Sequence, residues 1–320
     1  MKTLSSVKAL FISLSLLVSY TIPYCLAAQK TAYVTIDGDI IEDDEKHHNT
    51  SSTVSCALLI SSGSSYTGTN IVVSTVCRSS SFGDAAIYSK GGKFLNLGAN
   101  YGWSSVTVSK GGVYGGYSSA IELSDMTETS TIYNTKIYNY ADGGTGIRLW
   151  NNSNLLLDNV EIYNASDTAI HASRNATISN KGNGIIRIST TGDNEASIFA
   201  SGDSKVTLYN THIENKKSST RGVLVGDSST ISLTNSSISS VNNNTLISGS
   251  GNLEVSLSNV DLSKSKNQRI SASSDLTVNI QNGTSFDGYT SQENDGSINI
   301  NLTKSSWNIT KNSNLFSLSL

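Results

Sequence analysis

The sequence predicts an all-β fold, a single elongated right-handed parallel β-helix running from about residue 30 to the end, and three observations carry this reading. Apolar residues recur in columns with a period of about 24 residues. Within each segment they alternate with polar residues, the period-two signature of a strand with one buried face. No stretch shows the periodicity of a helix, which leaves a solenoid of strands alone.

The columns are clearest between Ser197 and Ser263, with Asn210, Asn235 and Asn259 as reference points. Two places before them stand Leu208, Leu233 and Leu257; four before, Val206, Ile231 and Val255; three after, Ile213, Ile238 and Leu262. A shorter strand upstream repeats as Ile198-Phe199-Ala200, Val223-Leu224-Val225 and Leu246-Ile247-Ser248. Asn134, Asn159 and Asn282 extend the column, and Asn180 is its expected member in a coil made irregular by an insertion between Gly182 and Ile188. Asparagine suits a sharp turn because it tolerates left-handed backbone and can bond along a stack of its own kind. A leucine-rich repeat would need a helical half that is here Ser, Thr, Asn and Gly. The calcium-binding nonapeptide is absent and the left-handed hexapeptide pattern is not kept. Strands that pair only with their equivalents one coil away cannot fold singly.

Residues 1–28 read as a secretory signal: Lys2 and Lys8, the apolar run Ala9 to Val18, then Ala27 and Ala28 at the cut. That run is too short to span a bilayer, so no transmembrane segment is expected in the mature chain. Residues 29–80 read as an N-terminal cap with the first irregular coils. Here Tyr33 to Ile36 is an initial strand and Glu42 to His48 a solvated loop; its two histidines find no further ligand column to make a metal site. Residues 81–320 read as the solenoid proper. The only proline, Pro23, falls in the leader, which suits a fold with few places to hide a missing ladder donor. Only 15% of residues are charged and the net charge is −3, which argues against a nucleic-acid partner. Cys56 and Cys77 are the cysteines left after cleavage, 21 residues apart. That is close to one coil, which predicts stacking and a disulfide, with two reduced thiols as the alternative.

No catalytic, cofactor or metal constellation emerges. Gly202-Asp203-Ser204 and Gly226-Asp227-Ser228 look like a serine-nucleophile loop, yet they recur in successive coils, as turns do. Polysaccharide lyases and glycoside hydrolases share the pectin-lyase-like solenoid and form the enzyme alternative. Their chemistry needs carboxylates gathered on one outer face. The outward column two after each asparagine reads Lys136, Glu161, His212, Ser237 and Asp261, with mixed signs; Asp158 with Glu161 and Arg148 with Arg187 are the nearest to a cluster. Trp103 and the neighbouring tyrosines read as stacked side chains rather than a sugar platform.

A resemblance enters at the C-terminus. Ser306-Trp307-Asn308-Ile309-Thr310-Lys311-Asn312-Ser313-Asn314-Leu315, followed by Ser317-Leu318-Ser319-Leu320, is similar to the Trp-x-Val-Thr-x-Asn-Ser-x-Leu-x-Ser-Leu segment late in the pertactin-like passengers of bacterial autotransporters. Trp307, Thr310, Asn312, Ser313 and Leu315 carry the match. The resemblance implies export through the inner membrane and display at the cell surface or release, through an outer-membrane barrel that belongs to a full-length form; without a barrel the chain would stay periplasmic. It implies an adhesin or self-association module whose partners are host or bacterial surface glycans, proteins or further copies of the chain. The sequence departs from the family by stopping at Leu320 before the barrel. The expectation is a final coil, 297–320, whose apolar Leu302, Ile309 and Leu315 lie uncovered.

Overall fold

The computed structural model describes residues 30–31, 34–38, 41–44, 47–50, 56–77, 85–110, 119–141, 143–164, 167–180, 183–190, 196–217, 220–241, 244–250 and 253–320. The predicted signal of residues 1–28 lies outside the described residues. Contacts divide the chain into residues 1–30 and a compact unit of residues 31–320. That second unit is an all-β parallel solenoid, with no helix among its described residues and therefore none long and apolar enough to cross a membrane.

One sheet has 12 strands, each pairing with its counterpart one coil on, and the other has 19. The larger sheet folds at the asparagine corner into two faces. Before the corner run Lys205–Tyr209, Thr230–Thr234, Leu253–Ser258, Leu276–Gln281 and Ile298–Thr303. After it run Thr211–Asn215 and Ser237–Ser240. The separate sheet supplies the third face through Ala196–Ser201, Arg221–Gly226, Thr245–Ser250 and Gln268–Ala272.

The register sets the predicted columns on one another. Leu208 pairs with Leu233, Leu233 with Leu257 and Leu257 with Ile280, and none of the four reaches solvent. Val206, Ile231, Val255 and Val278 form the next inward row. The alternation puts these side chains inside and sends Thr207, Ser232 and Ser256 out.

At the corner, Asn134, Asn159, Asn210, Asn235, Asn259 and Asn282 all hold left-handed backbone, with φ between 43° and 53°. The Asn159 amide donates to Asn134 Oδ1 at 2.8 Å and that of Asn259 to Asn235 Oδ1 at 2.8 Å. Asn134 donates instead to the Ala99 carbonyl, and Asn282 to the Ser258 hydroxyl.

Asn180 departs from its expected place. It pairs with Leu157, two residues before the Asn159 corner, so it occupies the inward leucine row and is 7% exposed. Its amide there exchanges two bonds with the Tyr209 backbone, donating to the carbonyl at 2.7 Å and accepting from the N–H at 2.8 Å. The ladder resumes at Ile186 opposite Val160, so the corner of that coil lies in the insertion. The upstream strand needs a smaller correction. Ile247 rather than Leu246 pairs with Val223, and against the following strand the register shifts between Thr245 and Ile247.

The N-terminal region is more regular than expected. Val34–Ile36 pairs with Leu58–Ile60, which pairs in turn with Ala85–Lys90. Ile41–Asp44 and His47–Thr50 are strands on the 19-stranded sheet, not a loop. The backbone also places the two cysteines in different columns. Cys77 pairs with Lys110 on the larger sheet, whereas Leu58, two residues after the buried Cys56, pairs with Ile87 on the other. The coil there is longer than the 21 residues that would have stacked them; the Cys77 side chain lies outside the described residues.

The last coil covers itself in part. Leu302, Trp307 and Leu315 pack against the core, but Ile309 is 57% exposed and Phe316 76%.

Candidate functional site

Among the described residues the inward rows are buried side chains packed into one core, so the outward rows are the surface that a partner can meet. Two of these rows carry charge and aromatic rings.

The first row lies beyond the asparagine corner. It runs Ser105, Lys136, Glu161, Arg187, His212, Ser237 and Asp261, residue over residue in the ladder. Arg187 fills the place that the irregular coil hid from the sequence. Glu161, largely buried, takes Lys136 Nζ at 3.4 Å on one side and Arg187 at 3.4 Å on the other. It also accepts the Tyr163 hydroxyl at 3.1 Å. Burial, then that bond, raises the Tyr163 pKa above the usual phenol value, so the hydroxyl stays protonated as a donor. Tyr163 stacks on Tyr138 at 5.1 Å between centroids, and Lys136 lies 4.6 Å over the Trp103 ring. His212 is bonded to Ser237 at 2.8 Å. Asp158 does not join Glu161: the turn at Asn159 leaves it on the preceding face, level with Tyr133.

The second row lies on the outer surface of the 12-stranded sheet. Tyr88, Glu122, Arg148, His171, Phe199 and Leu224 follow one another at equivalent positions in six successive strands. Beside it run Lys90, Ser124, Trp150 and Ser173. Arg148 is 5% exposed and Glu122 8%. They form an ion pair at 3.7 Å, and Arg148 also donates to the Thr145 hydroxyl. His171 stacks on Phe199 at 4.5 Å and lies 6.2 Å from Trp150. Burial first, and the Arg148 charge second, lower its pKa to about 3, so the ring is neutral at physiological pH. Arg148 and Arg174 both lie over the Trp150 indole, at 5.5 and 5.1 Å. The indole N–H is buried without a hydrogen-bond partner.

This second row was hidden in the sequence although its inward flanks were not. Glu122, Arg148, His171 and Phe199 are the middle residues of Ile121-x-Leu123, Ile147-x-Leu149, Ile170-x-Ala172 and Ile198-x-Ala200. Reading the position between two inward residues would have found them.

The paired turns that look like a nucleophile loop are structural. Gly202, Asp203, Asp227 and Ser228 have positive φ. Ser204 is buried and its hydroxyl accepts the Ala176 N–H at 3.1 Å, so it serves the backbone rather than chemistry. Among the described residues no group of three or more His, Cys, Asp or Glu side chains is placed to hold a metal ion. The C-terminal motif also has local structural work: the Trp307 indole donates to the Gly288 carbonyl at 3.0 Å and lies 6.0 Å from Phe286. Ser313 accepts the Thr290 N–H, Thr310 bonds Asn267, and Leu315 packs on the core while Asn312 is exposed.

No protein-family model, no curated protein and no solved structure matches the chain.

Proposed function

We propose that the chain is the passenger part of a bacterial autotransporter, exported by its leader and displayed at the cell surface or released, where it works by binding. Its class is an adhesin or self-association module, with surface glycans, surface proteins or further copies of itself as partners. The observation that carries this is the condition of the outward rows. Glu161 is held by Lys136 and Arg187, and Glu122 by Arg148. Carboxylates tied into ion pairs along their own rows do not form the facing carboxylate pair that glycosidic cleavage uses. What these rows offer instead is a long, rigid display of aromatic rings and hydrogen-bonding groups, the chemistry of recognition. The C-terminal motif, Trp307 to Leu315, supplies the resemblance to passengers.

The competing reading is a polysaccharide lyase or glycoside hydrolase. Incubating the full chain with uronate polymers and following unsaturated and reducing ends separates the two: neither product is expected, and accumulation of either one overturns the reading.

A further inference from the structure

A cleft of about 400 Å³ opens on the outer surface of the 12-stranded sheet, lined by Tyr88, Lys90, Glu122, Ser124, Trp150 and Arg174. Its construction follows from the ladder. Tyr88 and Lys90 come from one strand, Glu122 and Ser124 from the next, and Trp150 from the one after. The middle strand contributes short or folded-down side chains between two tall ones. The walls therefore stand two strand spacings apart, roughly 9–10 Å, which admits one sugar ring.

The floor and the Trp150 wall are held in place by their own contacts. On the floor, the Ser124 hydroxyl donates to Asp125 at 2.8 Å and accepts from the Asn151 amide at 3.1 Å. The buried Glu122 is anchored by Arg148 and by the Ser119 hydroxyl. One wall is Tyr88, whose pKa is raised first by burial and then by Glu122, which keeps its hydroxyl a donor. The other wall is Trp150, with Arg174 laid over its ring at 5.1 Å. The Trp150 N–H is buried and makes no bond within the protein. Lys90 and Arg174 are exposed on the rim.

We propose that this cleft binds a sugar ring bearing one acidic substituent, a carboxylate or a sulfate. Tyr88 offers an apolar face for the ring, and a carboxylate, with about four lone-pair sites, accepts ring hydroxyls from the floor. The two rim cations pair with the acidic group, Arg174 being set by its stacking on Trp150. A neutral sugar leaves both cations unused, and an acidic peptide brings no ring hydroxyls to the acceptors on the floor. The assignment rests on the binding role proposed above and narrows it to one site and one ligand class.

Calorimetric titration of the full chain tests it, with four probes: a glucuronate-bearing tetrasaccharide, a sulfated tetrasaccharide without carboxylate, a neutral glucose tetrasaccharide and a tetraglutamate peptide. Binding of either acidic sugar, with the neutral sugar and the peptide at least tenfold weaker, is the expected result, and the stronger of the two names the acid. The double variant Lys90→Ser, Arg174→Asn should lose about tenfold in affinity; Asn at 174 keeps the left-handed backbone, φ 55°. Lys264→Ser, on another face, should change nothing. The assignment is overturned by equal binding of the neutral sugar or the peptide, by an unchanged affinity in the double variant, or by no binding at all. Loss of the cleft leaves the wider reading standing if cells displaying the chain still attach or aggregate. Acidic-sugar binding without attachment or aggregation leaves the cleft standing and removes the wider reading.

Discussion

Left-handed backbone costs an ordinary L-residue about 1–2 kcal/mol, and six corner asparagines of this solenoid hold it. Asparagine meets the demand, and the amides of Asn159 and Asn259 then reach the asparagine one coil back. Asn235→Ala should lose both benefits: the φ of 49° becomes strained and the Asn259 amide loses its acceptor. A drop of roughly 1–2 kcal/mol in unfolding free energy is expected, with Asn235→Gly milder because glycine keeps the φ; denaturant unfolding of the two variants checks the order. The corner asparagines were legible as a column, but Asn180 was not separable from them. An insertion in its coil moved the corner while leaving Ile178 in place, and only the pairing with Leu157 shows that Asn180 faces inward.

His171 gives a pH dependence with a definite sign. Its folded pKa, about 3, lies below the ordinary 6.5, so between these values the unfolded chain binds a proton that the folded chain does not. Stability from this group is complete above about pH 6.5 and is lost as pH falls toward 3, with a limiting slope of about 1.4 kcal/mol per pH unit. Arg148 on the preceding strand and Phe199 on the following one face this ring. In His171→Phe the slope should flatten, as read from unfolding midpoints between pH 7 and pH 4; an unchanged slope would place the titrating group elsewhere.

At the scale of the strand, alternation decides which neighbour matters. Leu233 and Ser232 are adjacent, yet one is sealed between Leu208 and Leu257 and the other points out. Leu233→Ala is expected to cost about 2–5 kcal/mol and Ser232→Ala to stay within about 0.5. Between strands, where the ladder breaks, buried hydroxyls replace the missing carbonyls. Ser130, Ser153, Ser204, Ser229 and Ser236 each accept a backbone N–H from the preceding coil at 3.0–3.1 Å. Strand existence and inward rows could be read because burial imposes a strict period of two. The bulge at Leu246 could not, since Leu246 and Ile247 are equally apolar and only the ladder register chooses between them. Outward rows were legible only where coil length is constant, as for Lys136 and Glu161. The Tyr88 to Phe199 row crosses coils of unequal length, so no fixed offset lines it up.

Across the whole unit, each coil is stabilised by the coils on either side, and an amide deep in the stack opens only with its neighbours. The strands Ser306–Ile309 and Ser317–Ser319 pair on one side only among the described residues. Hydrogen exchange should therefore be slow throughout Val206 to Ile238 and markedly faster in those two strands; equal protection would mean that the exposed Ile309 and Phe316 are covered in solution.

A solenoid that functions by binding at a cell surface, as proposed, should change how cells that carry it attach or aggregate. The most direct measurement is to display the chain on bacteria through an outer-membrane barrel and to compare attachment to host cells and self-aggregation with bacteria bearing the barrel alone. A gain in one or both is expected, reduced when Lys90 and Arg174 are replaced together and a glycan is the partner. Displayed, folded protein that changes neither attachment nor aggregation would contradict the proposed role.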